Sequence, residues 1–187
     1  PAMSGHDDQA TEAIGYLVQQ LHRPREAPPA DLVPLKDWFA PLFAAQAQLW
    51  PTTARDLYGR AKGIALGLFD RAAADVPLHG DLRHDNILAS PRGWLAIDPR
   101  GLLGDPIYDL AAAFLNPWQA RDMVIDQGRI AHMADSFARR FGHDRKRILG
   151  FAVAHAALSV CWDIRDGRPI GHQIAALPSL LAVYAQA

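Results

Sequence analysis

Several common signposts are absent from this sequence, and each absence excludes something. There is one cysteine, Cys161, so no disulfide framework can form within the chain; it lies in the apolar run over residues 153–162, where a buried structural thiol is expected. Neither sign of charge dominates: 19 Lys and Arg stand against 20 Asp and Glu, a formal net charge of −1, which leaves no electrostatic case for nucleic acid or an anionic membrane as partner. Arg, Asp, His or Gln interrupts every apolar run before about eighteen residues accumulate, so no bilayer-spanning helix is expected. The start lacks a basic-then-apolar signal pattern, and a reducing cytoplasm is the expected setting. His132, His143, His155 and His172 occur singly, without the i, i+4 pairing of a helical zinc site, and read as surface or satisfied core residues. Glycines such as Gly59 and Gly63 fall inside helical patterns, and no glycine-rich phosphate loop followed by a strand lysine is found. There is no internal repeat or low-complexity segment.

What is present is a chain of 187 residues, half of them apolar, enough for one core and one domain. Ala10, Ala13, Ile14, Leu17, Val18 and Leu21 recur at helical spacing and predict a helix over residues 8–21, acidic at its start and stopped by Pro24. His22 at its end reads as a packing or capping residue. Asp37 is placed to cap a helix over residues 38–50, whose Trp38, Phe39, Phe43 and Trp50 are expected in the core. A longer helix is expected from Ala54 to residues 73–74, leading into an apolar strand at 76–78. Further helices are expected over 119–141, with Gly142 as its cap, over 145–162, and over 170–185, bent or restarted near Pro178.

The most informative stretch is residues 78–109, LHGDLRHDNILASPRGWLAIDPRGLLGDPIYD. Gly80 allows a tight turn beside Asp81, and four residues separate Asp81 from Asn86. In a kinase catalytic loop that interval joins an Asp that accepts the proton of the attacking hydroxyl to an Asn that holds a metal ion. The apolar runs 87–89 and 94–97, joined by Ser90-Pro91-Arg92-Gly93, predict a β-hairpin with Asn86 and Asp98 together at its open end. Two hard oxygen donors facing one gap, completed by phosphates and water, suit Mg²⁺. Asp105 followed by Pro106 is a strong helix start.

HGDLRHDNIL, WLAIDPRG and GDPIYDLAAAFLNP together closely resemble the aminoglycoside phosphotransferase family of the protein-kinase-like fold, nearest its streptomycin 6-phosphotransferase and hydroxyurea phosphotransferase branch. ALSVCWDIRDG at residues 157–167 is similar to the same group, as is the Leu21-His22 ending of the first helix. The resemblance implies a mainly α fold with a small β-hairpin (α+β), the C-terminal lobe of a kinase-like enzyme. Residues 1–187 would be a single helical lobe with its catalytic loop and metal-binding hairpin at 76–100. It implies an ATP-dependent O-phosphotransferase acting on a small hydroxyl-bearing molecule: streptomycin, another aminoglycoside, or hydroxyurea. Asp81 would be the catalytic base, Asn86 and Asp98 would ligate Mg²⁺, and His79 and Asp109 would support the loop. Arg100, Asp105, Asp163 and Asp166 are candidates for contact with phosphate or substrate. The family usually carries His where this chain has Arg83. The strands and glycine-rich loop of a kinase-like N-terminal lobe are not found, and the chain opens Pro1-Ala2-Met3; the expectation is a C-terminal lobe whose nucleotide-binding partner lobe is missing from it.

Two other readings attach to the same residues. His79, Asp81, His84, Asp85 and Asp98 could surround zinc or manganese in a metal-dependent hydrolase. A kinase-like remnant kept as a non-catalytic binding module is the other.

Overall fold

The structure, a computed structural model, describes residues 6–24, 29–70 and 74–187. Helix α7 (Arg145–Arg165) lies at its centre. Every residue from Ile148 to Cys161 is buried, and a helix apolar all round has to be covered on every face. The covering elements are α4 (Arg55–Phe69), α6 (Gln127–Phe141), α8 (Gly171–Ala185) and a ten-residue 3-10 helix, Pro106–Leu115. By length and hydropathy alone α7 could cross a membrane, which corrects the expectation that its polar residues disqualify it; 78% of its most apolar window is instead buried within the protein. Cys161 is a free buried thiol on this helix, its pKa pushed up to about 11 by burial.

α1 (Asp7–Leu21) and the close of α6 at Gly142, left-handed with φ 65°, follow the sequence pattern. The expected helix over 38–50 does not form as one element. It is divided into α2 (Leu35–Trp38), α3 (Ala40–Ala44) and a 3-10 turn, Ala47–Leu49, with Asp37 inside α2 rather than at a cap. Pro41 removes a backbone donor at the break, and at the end of α3 the freed carbonyls are met from the side by α4: Lys62 Nζ donates to the Phe43 carbonyl at 2.7 Å and the Tyr58 hydroxyl donates to that of Ala45. The segment 119–141 is likewise two helices, α5 (Arg121–Ile125) and α6, because Asp126 turns extended and its carboxylate caps α6 through the Arg129 N–H at 2.6 Å. Pro178 sits inside α8 without ending it. The expected end of the helix before the catalytic loop falls partly on residues 71–73, outside the described residues; the described helix closes at Phe69.

Two small sheets complete the molecule. β5 (Leu102–Gly104) is central to the first, parallel to β1 (Val33–Pro34) and antiparallel to β2 (Val76–Leu78). β3 (Ile87–Ser90) and β4 (Gly93–Ala96) form the hairpin, with Ile87 opposite Ala96 and Leu88 opposite Leu95. Alternation along these strands sends Ile87, Trp94 and Ala96 against the core. The other face carries Leu88 and Leu95, and Ile97 continues its alternation; Leu88 and Ile97 are 47% and 41% exposed.

Candidate active site

The loop between β2 and β3 is folded around one buried carboxylate. Asp109, in the first turns of the 3-10 helix, accepts the Gly80 N–H through Oδ1 at 2.7 Å and the His79 N–H through Oδ2 at 3.0 Å. His22, at the end of α1, meets the same Oδ2 with Nε2 at 2.8 Å. Gly80 has φ 80°, and a Cβ there would stand 2.7 Å from Leu102 Cδ1, so both backbone hand and space call for glycine. His79 locks the next turn with its ring. Nε2 contacts the Ile97 carbonyl at 2.9 Å, so that nitrogen carries the hydrogen, and Nδ1 accepts the Asp81 N–H at 3.3 Å. The His79 carbonyl in turn accepts the Arg100 N–H at 2.7 Å, tying the loop to the strand exit beyond β4.

These contacts turn the Asp81 side chain outward between two guanidinium groups. Arg100 donates to its Oδ2 at 2.8 Å, and Arg83 Nε stands 3.7 Å from its Oδ1. The same Arg100 nitrogen is 3.8 Å from Asp98 Oδ2, so Asp81 and Asp98 flank one cation. Asn86 is buried; its Nδ2 donates to the Asp81 carbonyl at 2.8 Å, leaving Oδ1 as its acceptor, and its own carbonyl accepts the Ile97 N–H at 3.0 Å. Asn86 and Asp98 therefore stand at the same end of the hairpin. Asp98 has φ 60°, the only non-glycine positive φ among the described residues, and its side chain is 61% exposed. Among the described residues no three His, Cys, Asp or Glu side chains converge as a protein-built metal cage. One amide oxygen and one carboxylate make an incomplete shell of hard donors, the kind Mg²⁺ shares with phosphates and water.

A cavity of about 450 Å³ opens beside Asp81, walled by Trp38, Trp118 and Trp162, with His155, Asn116 and Gln173 lining it and Arg165 and Arg168 at its edge. Trp38 packs against the core and His155 is a buried, hydrogen-bonded histidine, as their sequence patterns suggest; both also line this cavity, which nothing in the sequence separates from ordinary packing. A larger cavity, about 610 Å³ between α4, α7 and α8, contains none of residues 79–86.

The remaining candidates are not brought to Asp81. Asp105 caps the 3-10 helix through the Ile107 N–H at 2.9 Å and pairs by its other oxygen with Arg147 at 2.6 and 2.8 Å, so it is filled by the protein itself and lines a different cavity. Asp163 is buried and pairs with Arg168 at 2.9 Å; Asp166 pairs with Arg165 and Arg168, each at 2.7 Å. Their arginines, rather than the carboxylates, line the cavity. The hydrolase set is dispersed as well. Both ring nitrogens of His79 are engaged with backbone, and His84 is half-buried with its ring nitrogens turned inward near Arg129 and Asp7, its pKa lowered to about 4 by burial first and the Arg129 charge second.

Residues 2–167 match the family model described as aminoglycoside/hydroxyurea antibiotic resistance kinase. The chain belongs to this family. It is 39% identical over 173 residues to a streptomycin 3''-kinase of Klebsiella pneumoniae, covering 89% of this chain and 62% of that one. To a streptomycin 6-kinase of Streptomyces griseus it is 37% identical, covering 86% of this chain and 53% of the relative. The chain thus spans between half and two thirds of the length of these family members. Among solved structures, the aminoglycoside phosphotransferase APH(3'')-Id of Streptomyces rimosus, in complex with ADP and streptomycin, superposes with a TM-score of 0.53 at 26% identity over 80% of this chain and 61% of that one. The structural neighbours of this mostly helical chain with few strands are thus aminoglycoside phosphotransferases.

Proposed function

We propose that this chain is the catalytic C-terminal lobe of an ATP-dependent O-phosphotransferase whose acceptor is a small polar molecule, an aminoglycoside such as streptomycin or the smaller hydroxyurea, working in the cytoplasm with an N-terminal nucleotide-binding lobe. The observation that carries this reading is that Asp81, Asn86 and Asp98 come together at the open end of the hairpin, with Asp81 lining a cavity of substrate size. The activities named for the relatives, streptomycin 3''- and 6-kinases, point the same way and leave the position of the acceptor hydroxyl open.

In this reading Asp81 hydrogen-bonds the acceptor hydroxyl, aligns it with the γ-phosphate and takes its proton late, because little covalent work is required of a base in a largely dissociative transfer. Asn86 and Asp98 would hold Mg²⁺, which supplies charge neutralisation at the β- and γ-phosphates when bound. Arg100, shared between Asp81 and Asp98, is placed to turn toward a phosphate and free both carboxylates. Leu88, Leu95 and Ile97 present an apolar plate beside Asp98 on the outer hairpin face, suited to one side of a nucleotide base. The test is transfer of labelled γ-phosphate from ATP by the full-length protein, with streptomycin and hydroxyurea as acceptors. Mg²⁺-dependent transfer to one of them is expected; transfer to neither, together with no binding of ATP, overturns the reading.

A further inference from the structure

Four charged side chains, Asp81, Asp98, Arg83 and Arg100, meet at the open end of the hairpin. A single nitrogen of Arg100 stands 2.8 Å from Asp81 Oδ2 and 3.8 Å from Asp98 Oδ2. One guanidinium thus faces both the carboxylate read as the base and the carboxylate read as a metal ligand.

The backbone beneath this side chain is fixed. The Arg100 N–H donates to the His79 carbonyl at 2.7 Å, and the carbonyl of the next residue, Gly101, accepts the Val33 N–H at 3.0 Å. Gly80 leaves room for the stem of the side chain, since a Cβ there would stand 3.1 Å from that of Arg100. Nothing comparable holds the other end. Among the described residues the guanidinium meets only the two carboxylates, and the side chain is 41% exposed. Arg83 differs: its Nε is buried, has no hydrogen-bond partner among the described residues, and lies 3.7 Å from Asp81 Oδ1, too far for a hydrogen bond and near enough for an ion pair. Asp81 therefore keeps a cation on one side when Arg100 leaves the other.

Charge decides what this arrangement does to a metal ion. Two carboxylates and two guanidiniums sum to zero, so the group offers a bare dication no net attraction, and Arg100 sets a like charge 3.8 Å from the Asp98 oxygen. A polyphosphate reverses the balance, because its oxygens attract the exposed guanidinium and leave Asp98 without a competing cation. Resting on the phosphotransferase reading above, we propose that Arg100 is a positioning residue that competes with Mg²⁺ for Asp98 until the phosphates of a nucleotide draw it away. The protein then takes the metal together with the nucleotide rather than before it. The same swing uncovers Asp81 Oδ2 for the acceptor hydroxyl, while Arg83 stays beside Oδ1.

The test is a titration of the full-length protein with Mn²⁺ alone, without nucleotide, comparing wild type with Arg100→Gln. Mn²⁺ takes the same oxygen ligands as Mg²⁺ and is followed by its electron paramagnetic resonance. Removing the charge should tighten Mn²⁺ binding about 10-fold. Arg100→Lys keeps the charge and should tighten it by less than about 3-fold; a gain equal to that of Arg100→Gln would take charge out of the explanation and overturn the proposal. Asp98→Asn, added to Arg100→Gln, should cancel the gain. A gain that survives it lies at another site and overturns the proposal, as does an affinity in Arg100→Gln that is unchanged, weaker or too low to measure. If the wild-type protein transfers no phosphate, the reaction assignment fails separately, and the Mn²⁺ titrations, which involve no transfer, still decide this inference.

Discussion

Asp105 and Asp109 on one side, and Asp81 and Asp98 on the other, are four carboxylates of one short segment that the fold treats in opposite ways. Asp109 spends its oxygens on two backbone N–H groups and His22, and Asp105 spends its own on a helix start and Arg147. Among the described residues, Asp81 and Asp98 have only arginine side chains against their carboxylates, and arginine can swing away. Filled carboxylates hold the loop; in the proposed function the partly filled ones are the groups that would meet a cation and an alcohol. This division makes a sharp claim, that stability and catalysis can be removed separately.

The largest separation is expected at Asp81. Asp81→Asn keeps the shape and removes the proposed base, so phosphate transfer should fall roughly 10²- to 10⁴-fold. Its unfolding free energy in urea should stay within about 1 kcal/mol of wild type, since the Asp81 carboxylate meets only partly exposed guanidinium groups. Asp109→Ala should do the reverse in origin: it leaves two buried backbone donors and His22 without their acceptor, at about 1–3 kcal/mol for each unsatisfied group. A loss of about 3 kcal/mol or more, and a melting temperature lower by roughly 6–12 °C, is the expected result. Were Asp109→Ala as stable as wild type, the assignment of Asp109 to support would collapse.

Much of this division was legible in the sequence, and the illegible part has a physical cause. The spacing of Asp81 and Asn86, the turn holding Pro91 and Gly93 and the apolar runs 87–89 and 94–97 are local signals, and the hairpin follows from them. Asp105-Pro106 announced a cap because capping is also local. Pairing of Asp105 with Arg147, or of Asp109 with His22, spans dozens of residues and leaves no periodic trace. The same holds for the cavity beside Asp81: nothing in the strongly apolar pattern of α7 marks His155 as lining a cavity, because its ring is tied to Tyr108, and Tyr108 to Trp38, on two other elements. The breaks at Phe39 and Asp126 are hidden because the apolar spacing continues across them while a proline and a carboxylate end the helices.

A smaller effect tests the buried side of the comparison through pH. His84 and His155 both have folded pKa values near 4, below the ordinary 6.5, with burial as the leading cause in each. The unfolded chain binds a proton at each site below pH 6.5 and the folded protein does not, so the stability present in full above that pH is lost as pH falls toward 4. Each histidine accounts for about 2–3 kcal/mol of that loss. His84→Leu, which removes two buried ring nitrogens that have no partner among the described residues, should flatten roughly half of the acid limb of a stability–pH curve and cost nothing at pH 7. An acid limb identical to that of wild type would mean that His84 titrates alike in both states.

The smallest expected change in stability is at Asp98. Its backbone sits at φ 60°, a conformation that Asp tolerates at some cost and Gly adopts freely, so Asp98→Gly relieves up to about 1 kcal/mol of strain. Glycine returns about as much through the greater freedom it gives the unfolded chain. The contact to Arg100, at 3.8 Å on an exposed side chain, contributes little. Unfolding free energy should therefore move by no more than about 0.5 kcal/mol, while Mg²⁺-dependent phosphate transfer disappears with the carboxylate. The pairing of those two measurements is what matters. A variant that lost both stability and transfer would put Asp98 in the same class as Asp109, as a carboxylate the fold depends on, and the hairpin mouth would have to be explained as a structural turn.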